Sequence, residues 1–203
     1  ENQLSGLLLK INDNEVWAKL IGNFNAYNLL AIYGVAIQLG MEELEVLRLI
    51  SELESVSGRF QFIVSKENIT AIVDYAHTPD ALENVLATIN EIRTKNEQLI
   101  TVFGCGGDRD NTKRPVMGDI AATLSDKVII TSDNPRTEDP DEIIHQIEKG
   151  VQPIHYKKTF AITDRRQAIK AACQIANSGD IVLIAGKGHE TYQEINGVKT
   201  HFD

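Results

Sequence analysis

Short apolar runs alternate with amphipathic segments along most of this 203-residue chain. Continuous apolar runs bounded by polar clusters predict buried strands, and apolar residues repeated every three or four positions predict helices. Such an alternation indicates a mostly parallel sheet covered by helices, which is a Rossmann-like α/β fold. Beyond residue 57 the pattern predicts strands at 59–64, 69–74, 99–103, 127–132, 159–162 and 180–185, and helices at 79–94, 114–124, 140–149 and 164–176.

The beginning of the chain has a different pattern. Two short strands are predicted at 6–11 and 16–21, around an Asn-Asp-Asn turn at 12–14. Helices are predicted at 24–39 and 42–53. A hairpin alone is marginally stable, so we expect this one to belong to a sheet that lies mostly outside the sequence.

A stretch of small residues at 55–59 marks a linker between these two patterns. We therefore predict the tail of one domain over residues 1–56 and a complete second domain over residues 57–203. An Asn-Gly pair at 196–197 lies between two short apolar–polar runs, which predicts that the second domain ends in a hairpin.

Polar or glycine-rich segments directly follow four of the predicted strands. They read DYAHTPD at 74–80, GCGGDRD at 104–110, SDNPR at 132–136 and GKGHE at 186–190. In an open α/β sheet, ligands bind beyond the carboxyl ends of the strands, and small residues there let the backbone approach a ligand. The sequence therefore predicts a binding site at this edge.

The segment after the strand at 127–132 combines three kinds of polar group. Pro135 cannot continue a central strand, so the strand ends just before it. Asp133, Asn134 and Arg136 then present a carboxylate, an amide and a guanidinium together. A polar turn in which Asp133 caps the next helix is the alternative interpretation.

Composition excludes several classes of protein. A net charge of -9 argues against general nucleic-acid binding, and no apolar run approaches the length that spans a membrane. The motifs of a P-loop, a dinucleotide fold and a hydrolase elbow are missing, and the five histidines lack metal-ligand spacing. Two cysteines without a disulfide framework fit a reducing cytoplasm, and Cys105 is interpreted as a packing residue.

Six motifs identify a family when they are taken together. They are GNFNAYN at 22–28, GR at 58–59, DYAHTPD at 74–80, FGCGGDRD at 103–110, DNPR at 133–136 and GKGHE at 186–190. With these motifs in this order, the chain resembles the Mur ligase family over essentially its whole length. The resemblance implies the end of a central ATPase domain over 1–56 and a C-terminal amino-acid-binding domain over 57–203. The family's P-loop, carbamylated lysine and uridine-nucleotide domain are not in this sequence, so we do not expect this chain to catalyse by itself.

The resemblance also implies an activity and its partners. It implies an ATP-dependent ligase of peptidoglycan synthesis, which adds meso-diaminopimelate to UDP-MurNAc-L-Ala-D-Glu through an acyl phosphate. Mg²⁺ would be held mainly by residues of the central domain outside this sequence, and a monomer is expected. No nucleic acid and no membrane are expected as partners.

Site residues are carried over from the same resemblance. Diaminopimelate has a distal carboxylate that lysine lacks, and the fork of Arg136 suits it, at roughly 1.5–3 kcal/mol per charged hydrogen bond. Residues assigned to this amino acid are Arg109, Asp133, Asn134, Pro135, Arg136, Gly186 and Glu190. Residues assigned to ATP are Asn25, Asn28, Arg59, Asp74 and His77.

Several alternatives stay open from the sequence. Asn25 and Asn28 can cap a helix instead of reading adenine, and His77 can be a core or cap residue. Lys113 and Arg114 are interpreted as solvated charges or as charges at a helix start, with phosphate contact as an alternative.

The activity also has alternatives. A lysine-adding ligase and a binding-only module remain, and a folate polyglutamate synthase is a weaker one because of the motifs at 133–136 and 186–190. His189 beside Glu190 can relay a proton or have a structural role.

Overall fold

The computed structural model describes residues 2–3 and 6–202. The chain divides into two compact units, one of residues 1–56 with 91–93 and one of residues 57–90 with 94–203. Within the described residues, no helix has the length and apolar character needed to cross a membrane.

The first unit is a small antiparallel sheet with two helices. Its strands are adjacent in chain order, and α1 and α2 follow them; the bounds are β1 Asn2–Gln3, β2 Gly6–Ile11, β3 Asn14–Ala18, α1 Asn23–Gln38 and α2 Glu43–Glu52. Ile11 pairs with Asn14, so the turn is tighter than predicted and β3 begins and ends earlier than the predicted strand. Leu29 of α1 and Val46 and Ile50 of α2 form a core with residues of β2 and β3.

The second unit contains a six-stranded sheet in the order β4-β5-β9-β6-β7-β8. Only the β4–β5 pair is antiparallel. Its elements are β4 Gln61–Val64, β5 Thr70–Asp74, α3 Pro79–Ile92, β6 Leu99–Phe103, α4 Lys113–Leu124, β7 Lys127–Ile130, α5 Pro140–Glu148, β8 Thr159–Ala161, α6 Arg165–Ile175, β9 Ile181–Ala185, β10 Tyr192–Ile195 and β11 Val198–His201. The Rossmann-like α/β prediction is confirmed.

Burial follows the position of each strand in the sheet. All five residues of the central strand β6 are buried, and β4 at the edge is mostly exposed. This is why β6 reads as a continuous apolar run. Asp139 and Asp164 are the N-cap residues of helices α5 and α6, and their carboxylates accept hydrogen bonds from backbone N–H groups of the first turn. The sequence did not predict a 3-10 helix, Pro153–Lys158, between α5 and β8.

The parallel register brings four strand ends to one edge. Asp74 of β5 pairs with Ala185 of β9, and Phe103 of β6 pairs with Ile130 of β7. Each of these strands runs directly into one of the polar segments, so the sheet gathers those segments there. Beyond this edge, β10 and β11 form a separate two-stranded hairpin.

Candidate functional site

A cavity of about 430 Å³ lies at the carboxyl edge of the sheet. Residues from all four polar segments and from the start of α4 line it. They are Tyr75, His77, Thr78, Gly104, Cys105, Gly106, Arg109, Asp110, Lys113, Asp133, Asn134, Arg136, Gly186 and Glu190. The cavity therefore brings together six of the seven residues assigned to the amino acid, and one residue assigned to ATP.

The segment 133–136 packs against the glycine-rich segment after β6. The Gly107 N–H donates to the Asn134 carbonyl at 2.9 Å, and Nη1 of Arg136 donates to the Gly107 carbonyl at 2.7 Å. A Cβ on Gly107 would lie 1.9 Å from the carbonyl oxygen of Pro135. Pro135 is a buried residue. Glycine is required at 107 because the two backbones are in direct contact.

Arg136 has an unusual backbone conformation. Its φ is +52°, in the left-handed region that residues with a Cβ disfavour. Its N–H donates to the Glu194 carbonyl at 3.1 Å, and its carbonyl accepts from the Asn196 N–H at 2.6 Å. The side chain is 23% exposed, with Nε 3.9 Å from a Glu194 carboxylate oxygen. The guanidinium thus lines the cavity with a partly solvated surface.

Lys187 is the centre of a buried polar network. Its Nζ donates to Oδ1 of Asn134 and to the Tyr192 carbonyl, both at 2.8 Å, and to Oε2 of Glu190 at 3.4 Å. Burial lowers the pKa of Lys187, and the nearby Asp133 and Glu190 carboxylates oppose that shift. Lys187 is not among the residues predicted to form the site; its position between two glycines at a strand end is the signal in the sequence that points to it.

The network fixes the orientation of the Asn134 amide. Its Oδ1 accepts from Lys187 and from the Glu194 N–H, so its Nδ2 is directed at Oε2 of Glu190, 2.9 Å away. The other oxygen of Glu190 accepts from the Tyr75 hydroxyl at 3.5 Å. Glu190 therefore presents a carboxylate at the cavity wall that is held by three donors.

Asp133 does not cap a helix, so that alternative interpretation is wrong. The carboxylate of Asp139 caps α5, and Asp133 points into the site instead. Its buried Oδ2 has no hydrogen-bond partner among the described residues and lies 3.8 Å from Nη1 of Arg165. Arg165 is fully buried, and its Nη2 donates to the Ala185 carbonyl at 2.8 Å. Sequence reasoning missed this arginine because it resembles an ordinary exposed charge at a helix start.

Arg114 corrects another expectation. It lies at the start of α4, as one interpretation had it, but it is fully buried rather than solvated. It donates from two nitrogens to the Glu138 carboxylate at 2.8 and 2.9 Å. It also donates to the Gly106 carbonyl at 3.1 Å, so this buried side chain helps to fix the backbone of the glycine-rich segment. Lys113 does line the cavity, and its Nζ donates to the His77 carbonyl at 2.7 Å.

Three residues assigned to ATP lie in the second unit. His77 is exposed at the cavity, with Nδ1 2.8 Å from the Tyr75 carbonyl oxygen. Arg59 is exposed and stacks over the Tyr75 ring at 4.6 Å. Asp74 accepts from the Phe60 and Ala76 N–H groups, and burial raises the pKa of its carboxyl group. The geometry gives Asp74 a role in holding the backbone around β5.

The two asparagines assigned to ATP lie in the first unit, near the start of α1. The Asn25 side chain donates to the Ile21 carbonyl at 2.7 Å, and Asn28 donates to Oδ1 of Asn25 at 3.2 Å. Neither contact caps the helix, because Gly22 is the N-cap of α1 and no side-chain hydrogen bond caps it, so the capping alternative is wrong. Asn28 is exposed.

The remaining candidates have varied surroundings. Gly186 has a φ of +112°, and a Cβ there would lie 3.0 Å from Oδ2 of Asp133. The His189 ring packs against Tyr75, with ring centroids 5.2 Å apart. Cys105 is buried, and burial raises the pKa of its thiol to about 12, as expected of a packing residue. In the described part of the chain, no three His, Cys, Asp or Glu residues are grouped so as to hold a metal ion.

Comparison with known proteins gives consistent similarities. A family model described as "Mur ligase, glutamate ligase domain" matches residues 58–188, so β10 and β11 lie outside the match. The chain is 56% identical to the UDP-N-acetylmuramoyl-L-alanyl-D-glutamate–2,6-diaminopimelate ligase of Cytophaga hutchinsonii, covering 98% of this chain and 41% of that protein. The protein of the same name from Parabacteroides distasonis is 55% identical, covering 100% and 42%.

A solved structure of a ligase with this name is also similar. It matches with a TM-score of 0.71 and 44% identity, over 100% of this chain and 42% of that one. The chain thus spans about two fifths of the length of the curated relatives that it matches.

Proposed function

Because the chain belongs to the Mur ligase family, we propose that it is the amino-acid-binding part of an ATP-dependent ligase that adds meso-diaminopimelate to UDP-MurNAc-L-Ala-D-Glu. Relatives that share more than half of its residues carry the name of this activity. The observation that carries the proposal is one cavity lined both by Arg136 and by the Glu190 carboxylate. A ligand with a carboxylate and an ammonium group at each end can pair its carboxylate with Arg136 and its ammonium group with Glu190.

Recognition rests on groups of opposite charge that different segments supply. Glu190 is held by three donors and accepts from an ammonium group of the ligand. Arg136 pairs with the distal carboxylate through the nitrogens of its planar fork. Arg109 is exposed at the same cavity and pairs with a second carboxylate. Lysine lacks the distal carboxylate, so it leaves one guanidinium without an anionic partner.

The role of the chain in the reaction is positioning. ATP supplies the phosphoryl group that converts the D-glutamate carboxylate into an acyl phosphate. This chain holds the amino acid so that its amine can attack that carbonyl, which forms the amide bond, breaks the bond to the phosphoryl oxygen and releases inorganic phosphate. A bound, oriented amine raises the rate through proximity. The exposed Arg59 and His77 and the half-buried Lys113 suit phosphate oxygens as donors. Mg²⁺ would be held mainly by residues outside this chain.

A titration followed by ¹⁵N NMR tests the proposal on this chain. Meso-diaminopimelate should shift the Arg136 Nε–H and Glu190 signals, and lysine should bind more weakly and leave Arg136 unshifted. Arg136→Ala should weaken diaminopimelate binding roughly 10- to 150-fold, because it removes a charged hydrogen-bonded pair. Arg48→Ala is the matched control, since Arg48 is an exposed arginine of α2 that pairs with Glu52.

Three results would contradict this assignment. The first is equal affinity of the wild-type chain for the two amino acids, which would favour the lysine-adding alternative. The second is unchanged affinity in Arg136→Ala. The third is the lack of binding of either amino acid at tens of millimolar, since we propose that this chain itself holds the ligand.

A further inference from the structure

The terminal hairpin of β10 and β11 contacts most of the segment 133–136. The Gln193 side chain donates to the Asp133 carbonyl at 2.7 Å, and the Glu194 N–H donates to Oδ1 of Asn134 at 3.0 Å. The Arg136 peptide bonds to the hairpin on both sides, and Arg136 forms a parallel bridge with Ile195. The hairpin is about 60 residues away in sequence, yet it bonds to three of the four residues of the segment.

We propose that this hairpin is a specificity-determining clamp that holds Arg136 in its left-handed conformation and so keeps its guanidinium at the cavity. Arginine disfavours a φ of +52°, so the conformation persists only where surrounding contacts enforce it. The hairpin supplies those contacts through the Glu194 carbonyl and the Asn196 N–H. The residues of the hairpin are positioning residues, because they act through Arg136.

The orientation of β10 supports this role. Glu194 pairs with Lys199 of β11, but its N–H and carbonyl both bond to the segment 133–136 rather than to β11. A two-stranded hairpin is marginal on its own, so the docked segment and the hairpin stabilise each other. Loss of the hairpin would therefore release the backbone that directs Arg136.

The clamp depends on a turn that can be altered without touching the core. Asn196 and Gly197 have φ values of +49° and +75°, as a type I′ turn requires, and both are exposed. Valine disfavours this region at both positions, so the double variant N196V/G197V should open the hairpin. Asn196→Gly keeps both the positive φ and the N–H that bonds to Arg136, and it serves as the conservative variant.

Amide hydrogen exchange tests the clamp in the whole chain, without any ligand. In N196V/G197V, the Arg136 amide should exchange roughly tenfold faster or more, because its bond to Glu194 opens. Amides of the central strand β6 should keep their wild-type rates, and Asn196→Gly should restore slow exchange at Arg136. Wild-type exchange at Arg136 in the double-valine variant would overturn the proposal.

A second measurement tests specificity, and this part rests on the proposed function. The ratio of diaminopimelate to lysine affinity should fall about tenfold or more in N196V/G197V and recover in Asn196→Gly. Faster exchange with an unchanged ratio would overturn the specificity role. If the wild-type chain binds neither amino acid, the proposed function fails and the specificity role fails with it, and the exchange rates still decide whether the hairpin clamps Arg136.

Discussion

Lys187→Met should destabilise the second unit, and it should also remove the hydrogen bonds from Lys187 that hold Asn134 and Glu190. Lys187 is 4% exposed, and its ammonium group donates to three acceptors. Methionine has a similar unbranched length, so it fills most of the space of the lysine stem while it removes the charge and every donor. The variant thus isolates the contribution of the buried ammonium group.

The structure sets the size of the effect. Two hydrogen bonds at 2.8 Å from a charged group contribute about 1.5–3 kcal/mol each, or about 3–6 kcal/mol together. Burial lowers the pKa of Lys187, so the charged amine has a desolvation cost that the variant recovers. Asn134 also keeps its bond from the Glu194 N–H. We therefore expect a loss near the lower limit, about 3 kcal/mol, as when one partner of a buried ion pair is removed.

Urea denaturation followed by circular dichroism measures this loss, and the melting temperature should fall by about 6–12 °C. Lys170→Met is the control, because Lys170 is an exposed lysine of α6 and its replacement should change stability by about 0.5 kcal/mol or less. Equal stability of Lys187→Met and the wild-type chain would refute the reasoning. It would mean that the buried amine does not stabilise the carboxylates around it.

Two glycine substitutions and one cysteine substitution test other contacts. Gly107→Ala should cost roughly 1–3 kcal/mol in urea denaturation, because its Cβ would lie 1.9 Å from the Pro135 oxygen. Gly34 lies within α1 and has open space around an added Cβ, so Gly34→Ala should instead stabilise the chain by roughly 0.5–1 kcal/mol. A lower stability of Gly34→Ala would contradict the open surroundings of this position. Burial raises the pKa of Cys105 from 9.0 to about 12, so its stabilising contribution is complete below pH 9 and declines by about 1.4 kcal/mol per pH unit above it. Cys105→Ala should flatten the loss of unfolding free energy between pH 9 and 10.5. Cys173→Ala should flatten it less, because burial also raises the pKa of Cys173 but that cysteine is exposed and Cys105 is buried.

The sequence predicted the location of the cavity because the relevant signals are local. Each strand is a short apolar run that ends at a polar segment, and parallel pairing requires such ends to meet at one edge. The cluster around Asp133, Arg136 and Glu190 needs no further information than the order of strands and helices. Segment boundaries were less accurate: β3 begins at Asn14 because the turn before it contains only two residues.

The buried cations could not be predicted in the same way. Arg114 and Arg165 lie in the first turns of α4 and α6, where local rules indicate solvated charges. Their burial depends on partners distant in sequence. Arg114 pairs with Glu138, which is 24 residues away in sequence. Arg165 follows β8 and lies beside Asp133, which follows β7. The contacts of Lys187 with Asn134 cross 53 residues. Pairings of this kind follow from tertiary packing, which no local pattern records.

These buried cations bear on the proposed preference for a ligand with an additional carboxylate. Lys187 and Arg165 are buried, and their cationic groups lie within 3.9 Å of the site's carboxylates. Lys187 is close to both Asp133 and Glu190, and Arg165 is close to Asp133, so they partly neutralise the negative charge of the two carboxylates. Arg109 and Arg136 line the same cavity and remain available to anions. An amino acid such as lysine would add a positive charge to a site whose acidic groups are already compensated. Meso-diaminopimelate carries a second carboxylate with its second ammonium group, so under the proposed function we expect the site to prefer its zero net charge to the net positive charge of lysine.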